Sequence, residues 1–156
     1  MKFVIDTKDM GLLLQVDTMH VAEWNIEVTS DSDWGGDKDT RISVSGYGIK
    51  VNLLLVMWRS KGQANVALSS SEAEFYALSE AMKDGIFMRN LIEGMGFKVK
   101  LPIKAKCDNI GAIFMANNRS ATTRTKHIDL RKHFVNDMVE AGDLEVDFVK
   151  SADNMS

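Results

Sequence analysis

The chain has a single cysteine, Cys107, and three histidines among its 156 residues. One thiol excludes an internal disulfide framework and fits a reducing compartment. The ordinary role of such a residue is a small apolar side chain in a strand. His20, His127 and His133 have no metal-ligand spacing with Cys107, so a zinc site is not expected. Long hydrophobic runs are also missing. No stretch approaches the ~18 apolar residues of a membrane span, and Met1-Lys2-Phe3-Val4-Ile5-Asp6 lacks the apolar stretch of a signal peptide. The expected location is intracellular, cytoplasmic or nuclear, with no membrane partner. There is no internal repeat and no low-complexity segment. Nor does charge of one sign dominate: 19 Lys and Arg face 22 Asp and Glu, for a net charge of -3. Such a chain has no whole-molecule attraction for a polyanion, and nucleic acid would have to meet a local basic patch.

What is present is enough apolar material, 45% of the residues, for one globular domain with a real core. Residues 1 to 20 carry a short apolar run, Gly11-Leu12-Leu13-Leu14-Gln15-Val16, read as the remnant of a preceding domain. From Asn25 the pattern is β: Ile26 and Val28 alternate with Glu27 and Thr29, and Trp34-Gly35-Gly36-Asp37-Lys38-Asp39 supplies a turn. Runs over Arg41 to Val51 and Leu53 to Trp58 complete an antiparallel meander. Arg59-Ser60-Lys61-Gly62-Gln63 reads as a polar turn.

A long amphipathic helix follows, from about Ser69 to about Gly94. Leu78, Met82, Gly85, Met88, Ile92 and Met95 recur at helical spacing and form one stripe for a sheet. A strand over Ile103 to Cys107, a short helix from near Asn109, a helix over about Lys126 to Glu140 and a strand over Leu144 to Val149 complete the order βββ-α-β-α-α-β. That order predicts a mixed sheet with helices on its faces.

Helical geometry sorts two glutamates. Glu74 precedes Leu78 by four residues and Met82 by eight, so it projects from the apolar stripe. Glu72 is two residues away, about 200° around the helix, and should face water. Ser69-Ser70-Ser71-Glu72 reads as a capping box that gives Glu72 structural work. A carboxylate at a core edge is costly without a cation, which points to function for Glu74; a helix-start acid favoured by the dipole is the plainer alternative. Asp108 closes a strand and opens a helix, where α/β sheets tend to form ligand sites, although it and Asn109 are equally good helix caps. Asp31 and Asp33 follow a strand and precede a Gly-rich turn, where turn chemistry is the plain reading. Three carboxylates converging from Asp31, Glu74 and Asp108 would repel one another and require a divalent cation. Hard oxygen ligands favour Mg2+ or Mn2+.

Several motifs carry a resemblance. They are Asp31-Ser32-Asp33-Trp34-Gly35-Gly36-Asp37, Arg41 with Ser43-Val44-Ser45-Gly46-Tyr47, Trp58-Arg59-Ser60-Lys61, Ala67 through Phe75, Cys107-Asp108-Asn109, and Arg124 through Arg131 with His133-Phe134. In order and spacing they resemble the ribonuclease H domain of copia-type retrotransposon Pol polyproteins, from about Lys8 to the C-terminus. Residues 1 to 23 look like the tail of the reverse-transcriptase region, with 24 to 156 as the ribonuclease H-like domain. The resemblance implies a ribonuclease H-like mixed five-stranded sheet and a nuclease using two metal ions about 4 Å apart. It implies Asp31, Glu74 and Asp108 as ligands, with Asp33 the alternative to Asp31. The implied substrate is the RNA strand of an RNA/DNA hybrid, told from DNA by its 2′-hydroxyls and groove shape, and the reverse-transcriptase region of the same polyprotein is an implied partner.

Departures from the family shape further expectations. Relatives continue after a segment like Asp153-Asn154-Met155-Ser156 with another Asp, so the resemblance implies a C-terminally truncated domain lacking a fourth acid, with impaired cleavage. An inactive remnant that binds nucleic acid or a polyprotein neighbour is the competing expectation. Lys50 and Asn52-Leu53-Leu54 replace an apolar residue and a glycine-rich turn, which is expected to shift the register of an edge pair. His127 is expected to be structural. Arg59, Lys61, Arg119, Arg124 and Lys126 are the candidate phosphate contacts, against solvated surface charge as the plain reading.

Overall fold

The computed structural model of the chain describes residues 22–37, 39–119, 126–151 and 154, with the backbone alone at 126 and 127. The elements are β1 (Trp24–Asp33), β2 (Val44–Val51), β3 (Leu54–Gly62), α1 (Ser70–Gly94), β4 (Val99–Cys107), α2 (Ile110–Asn117), α3 (Lys126–Glu140) and β5 (Leu144–Phe148). The five strands form one mixed sheet in the order β3-β2-β1-β4-β5. β1 to β3 are an antiparallel meander, whereas β4 runs parallel to β1 and β5 parallel to β4. Period-two alternation sets the two faces. Ile26, Val28, Tyr47, Ile49, Ile103, Ala105, Cys107, Leu144 and Val146 are buried together with residues from all three helices. Glu27, Lys104, Lys106, Glu145 and Asp147 occupy the alternate positions, where Lys106 pairs with Glu27 at 2.7 Å and Lys104 reaches Glu145 and Asp147.

α1 lies across the sheet because its stripe is apolar and, at one point, bare. Leu78 and Met82 are fully buried and Ile92 nearly so. At Gly85 a Cβ would come within 2.9 Å of Val28 Cγ2, so the helix and β1 approach more closely than any side chain allows. Met95 departs from the expected stripe. It is the C-cap and is 58% exposed.

Three element bounds differ from the sequence expectation for identifiable reasons. The stretch expected to turn, Arg59 to Gly62, is the second half of β3, pairing with Tyr47, Gly46, Ser45 and Val44. It is an edge strand, and its polar residues carry no apolar alternation to reveal it. β4 starts at Val99 rather than Ile103; the β1–β4 ladder is irregular between Asn25 and Glu27, opposite Pro102, which has no N–H to donate. β1 continues through Asp33, so Asp31 and Asp33 lie within the strand.

The β2–β3 turn carries the expected irregularity. Asn52 and Leu53 both adopt left-handed φ, 48° and 71°. Two pairs away from the turn the ladder slips: Lys50 pairs with Leu55 but Ile49 with Met57, so Val56 is skipped as a bulge. Asn52 also serves β1: its N–H donates to Asn25 O at 2.9 Å and its Oδ1 accepts from Asn25 N at 2.8 Å. Among the described residues, no helix is long and apolar enough to cross a membrane.

Candidate active site

Three chain segments meet at the C-terminal ends of β1 and β4. Thr29 is the partner of Lys106 in the parallel ladder, so Asp31 and Asp108 each stand two residues beyond one registered pair. Glu74 comes from the start of α1, whose position is fixed by polar contacts. Ser69 is the N-cap, its hydroxyl accepting from Glu72 N at 3.2 Å. Glu72 Oε2 accepts from Leu68 N rather than from Ser69 N, one residue away from the expected capping box, and Glu72 is half-buried. Buried Gln63 donates through Nε2 to Ser45 Oγ and to Ala73 O, both at 2.9 Å. That side chain ties the end of β3 and the middle of the sheet to the residue preceding Glu74.

Glu74 is 7% exposed. Its Oε1 accepts from Ser32 N at 3.1 Å, while its Oε2 is buried with no hydrogen-bond partner, as are the hydroxyls of Ser30 and Ser32. Asp108 closes on it: a Glu74 oxygen, an Asp108 oxygen and Cys107 Sγ all lie within 4.8 Å of one another. The helix-cap alternative for Asp108 is taken by its neighbour, since Asn109 Oδ1 accepts from Ala112 N at 3.0 Å. Gly111 brings α2 against α1, a Cβ there falling 2.3 Å from Ser71 Oγ.

The electrostatics record the crowding. Burial, then the negative charges of Asp31 and Asp108, push Glu74 up to about 7. Burial and the Asp108 carboxylate raise Asp31 above the usual range. Burial pushes the Cys107 thiol up to about 12, with the three acids adding to the effect. Among the described residues, none of Asp31, Glu74 and Asp108 forms an ion pair with Lys or Arg. Asp33 is differently placed: its carboxylate lies over the turn, where a Cβ at Gly36 would be 2.0 Å from Asp33 Oδ2.

The terminal segment that the family resemblance marks for an acid supplies two polar side chains of which no role was expected. Ser151 Oγ donates to Asp108 Oδ2 at 2.6 Å, and Asn154 Nδ2 donates to Ser30 O at 2.9 Å. They strap the segment after β5 onto the ends of β1 and β4. Their contacts span 43 and 124 residues of chain, distances over which local patterning is silent.

The candidate phosphate contacts separate. Arg119 is held by Asp137 and Glu140, both at 2.7 Å. Arg59 bonds Tyr47 Oη at 3.4 Å. Lys61 shares with Arg59, Tyr47, Tyr76 and Glu80 the lining of a groove beside α1. Next to it Arg131, which the sequence did not single out, lies 3.9 Å over the Tyr76 ring and pairs with Glu80. Arg124, Asp153, His20 and the side chains of Lys126 and His127 lie outside the described residues. His133 pairs with Asp129 one helical turn away, at 3.6 Å.

No family model matches the chain. Among curated proteins it is similar to the retrovirus-related Pol polyprotein from transposon RE1 of Arabidopsis thaliana, 32% identical over 132 residues, which is 85% of this chain and 9% of that protein. It is 30% identical to the corresponding polyprotein from transposon RE2 of the same plant, over all of this chain and 10% of the relative. With the polyprotein from transposon TNT 1-94 of Nicotiana tabacum it shares 35% identity over 125 residues, 80% of this chain and 9% of that one. The chain thus spans about a tenth of the length of the curated relatives it matches. Among solved structures, LC11-RNase H1 in complex with an RNA/DNA hybrid superposes with a TM-score of 0.59 at 12% identity, covering 84% of this chain and 89% of that one. RNase H1 from the archaeon Halobacterium salinarum NRC-1 gives 0.54 at 13% identity, covering 83% and 89%. The chain is a homologue of one segment of the retrovirus-related Pol polyproteins of transposons, and that segment has the ribonuclease H fold.

Proposed function

We propose that the chain is a ribonuclease H-type endonuclease that hydrolyses the RNA strand of RNA/DNA hybrids, with Asp31, Glu74 and Asp108 holding Mg2+ or Mn2+. The observation that carries this reading is the buried, unpartnered Oε2 of Glu74, on a carboxylate with an oxygen within 4.8 Å of one from Asp108. A buried acid with a free oxygen, near two further acids and with no cationic partner among the described residues, either holds a proton or takes up a cation, and above about pH 7 the cation is the remaining way to balance its charge. The donors are hard oxygens, so the residues fit the ion that this chemistry uses. A divalent pair in such a site supplies an activated water and neutralises charge on the phosphorus oxygens in an in-line displacement.

The chain's own residues supply the positioning. Ser32 N–H fixes one oxygen of Glu74 and leaves the other without a hydrogen-bond partner. Ser151 steadies one Asp108 oxygen from outside. Asn109 takes the cap of α2 and so releases Asp108 from that work. Lys61 and Arg59, on the edge strand and along the groove beside α1, are the described cations best placed for phosphates, which position a duplex without reading sequence. Arg124 and Lys126 are kept as further contacts; Arg119, already paired twice, serves α3 first.

Support for the hybrid as substrate comes from the fold shared with LC11-RNase H1, which was solved on one. That the relatives are polyproteins supports a neighbouring segment of the same polyprotein as a partner; the reverse-transcriptase region as that neighbour, residues 1–23 as its tail, and the cytoplasm or nucleus as the place of action are part of the same proposal. The test is cleavage of a labelled hybrid by this chain with Mg2+, with Asp108→Asn as the inactive control.

A further inference from the structure

We propose that Cys107 Sγ, Glu74 and Asp108 form a capture site for a thiophilic divalent ion, Zn2+ or Cd2+. The sulfur and one oxygen from each acid lie within 4.8 Å of one another. A tetrahedral ion with metal–sulfur and metal–oxygen bonds of about 2.3 and 2.1 Å needs ligand atoms about 3.6 Å apart, so the three need draw in by no more than about 1 Å. Their settings permit it. Glu74 is pinned through Oε1 and offers the unpartnered Oε2. Asp108, just past the end of β4, is the half-exposed member and gives the ion its entrance. Cys107 is fully buried and meets the ion only from inside.

The ligand set explains a selectivity. A neutral thiol adds nothing for Mg2+, which takes hard oxygen ligands, whereas softer ions favour sulfur and bind mixed sites more tightly across the divalent series. On capture the Cys107 S–H bond breaks, its proton leaves to solvent, and the sulfur electron pair forms the bond to the ion, so the thiol releases one proton for each ion bound, and a protonated Glu74 releases its own as well. No change of oxidation state is involved. The consequence for activity rests on the ribonuclease reading above: because Glu74 and Asp108 are shared, an ion held by the thiol keeps them from Mg2+, and zinc becomes an inhibitor of the centre. The site itself does not depend on that reading.

Titration of Cd2+ into the full chain, without nucleic acid or thiol reductant and followed by the ultraviolet absorption of a cadmium–thiolate bond, tests it. The chain has one cysteine, so any such band reports Cys107. The expected result is a band saturating at one equivalent, missing from Cys107→Ala and Cys107→Val, with at least tenfold weaker binding in Glu74→Gln and Asp108→Asn. A wild-type chain without the band overturns the proposal. So does undiminished affinity in both carboxylate variants, which would mean a lone thiol. The titration reads no cleavage, so failure of the nuclease assay and failure of this site are separate results.

Discussion

Glu74 reaches from α1 to the backbone of β1, where one of its carboxylate oxygens accepts a hydrogen bond from Ser32 N at 3.1 Å. That single bond makes the two oxygens unequal. Oε1 is held by the fold, whereas Oε2 is buried and unpartnered.

The first consequence is a pH dependence of the metal-free chain. With Glu74 raised to about 7, the folded state holds a proton over a range where the unfolded chain has lost it. Stability linked to this group is therefore complete below the ordinary glutamate pKa and falls as pH rises to about 7. Thermal unfolding with a chelator should show the midpoint dropping by a few degrees between pH 5 and 8. Glu74→Gln should flatten the drop, and Mg2+ should reverse it in the wild type at pH 8. A wild-type midpoint that rises over that range contradicts the assignment.

The approach of α2 to α1 sets the spacing of Glu74 and Asp108. Gly111→Ala puts a Cβ 2.3 Å from Ser71 Oγ and 2.9 Å from Ser71 Cβ, which pushes the two first turns apart. Calorimetry should record Mg2+ binding weakened by about tenfold, while circular dichroism stays native. Ser71→Gly in the same chain should recover most of the loss, a coupling of about 1 kcal/mol between touching residues. Additive effects would show that this contact does not set the site.

Which parts of this were legible beforehand follows from the range of the interactions. Helix α1, its stripe and the buried side chosen by Glu74 are written in i, i+3 and i+4 spacing and were readable. The strand identity of Arg59 to Gly62 was not, because an edge strand with polar residues has no inward alternation. Asp108 and Asn109 were equal candidates for the cap until the hydrogen bond from Ala112 N chose Asn109. Ser151 and Asn154 join the site through tertiary contacts that no local pattern records.

The β2–β3 turn holds avoidable strain. Leu53 has φ of 71° and is 82% exposed. A left-handed L-residue costs about 1–2 kcal/mol, of which glycine's greater chain entropy returns about 0.5–1 kcal/mol. Leu53→Gly should stabilise the chain by about 0.5–1 kcal/mol in urea unfolding, with no change in metal binding. Destabilisation would contradict the assignment of strain to Leu53.

Asp31 and Asp33 are distinguishable by their surroundings. Asp31 is raised by burial and by Asp108, whereas Asp33 lies over Gly36 in the turn. Asp31→Asn should lower hybrid cleavage at least a hundredfold; Asp33→Asn should stay within tenfold of wild type. The reverse order, measured in single-turnover assays, would move the ligand to Asp33.

The most direct measurement is cleavage of a duplex labelled on its RNA strand, compared with DNA duplex of the same sequence, by the 156-residue chain in Mg2+. The account predicts cuts in the RNA strand of the hybrid only, abolished by chelator and by Asp108→Asn, with that variant still folded and still binding hybrid. A folded wild-type chain that leaves the hybrid intact, or that cuts it equally well after Asp108→Asn, would contradict the claim that these three carboxylates form a metal-dependent ribonuclease centre.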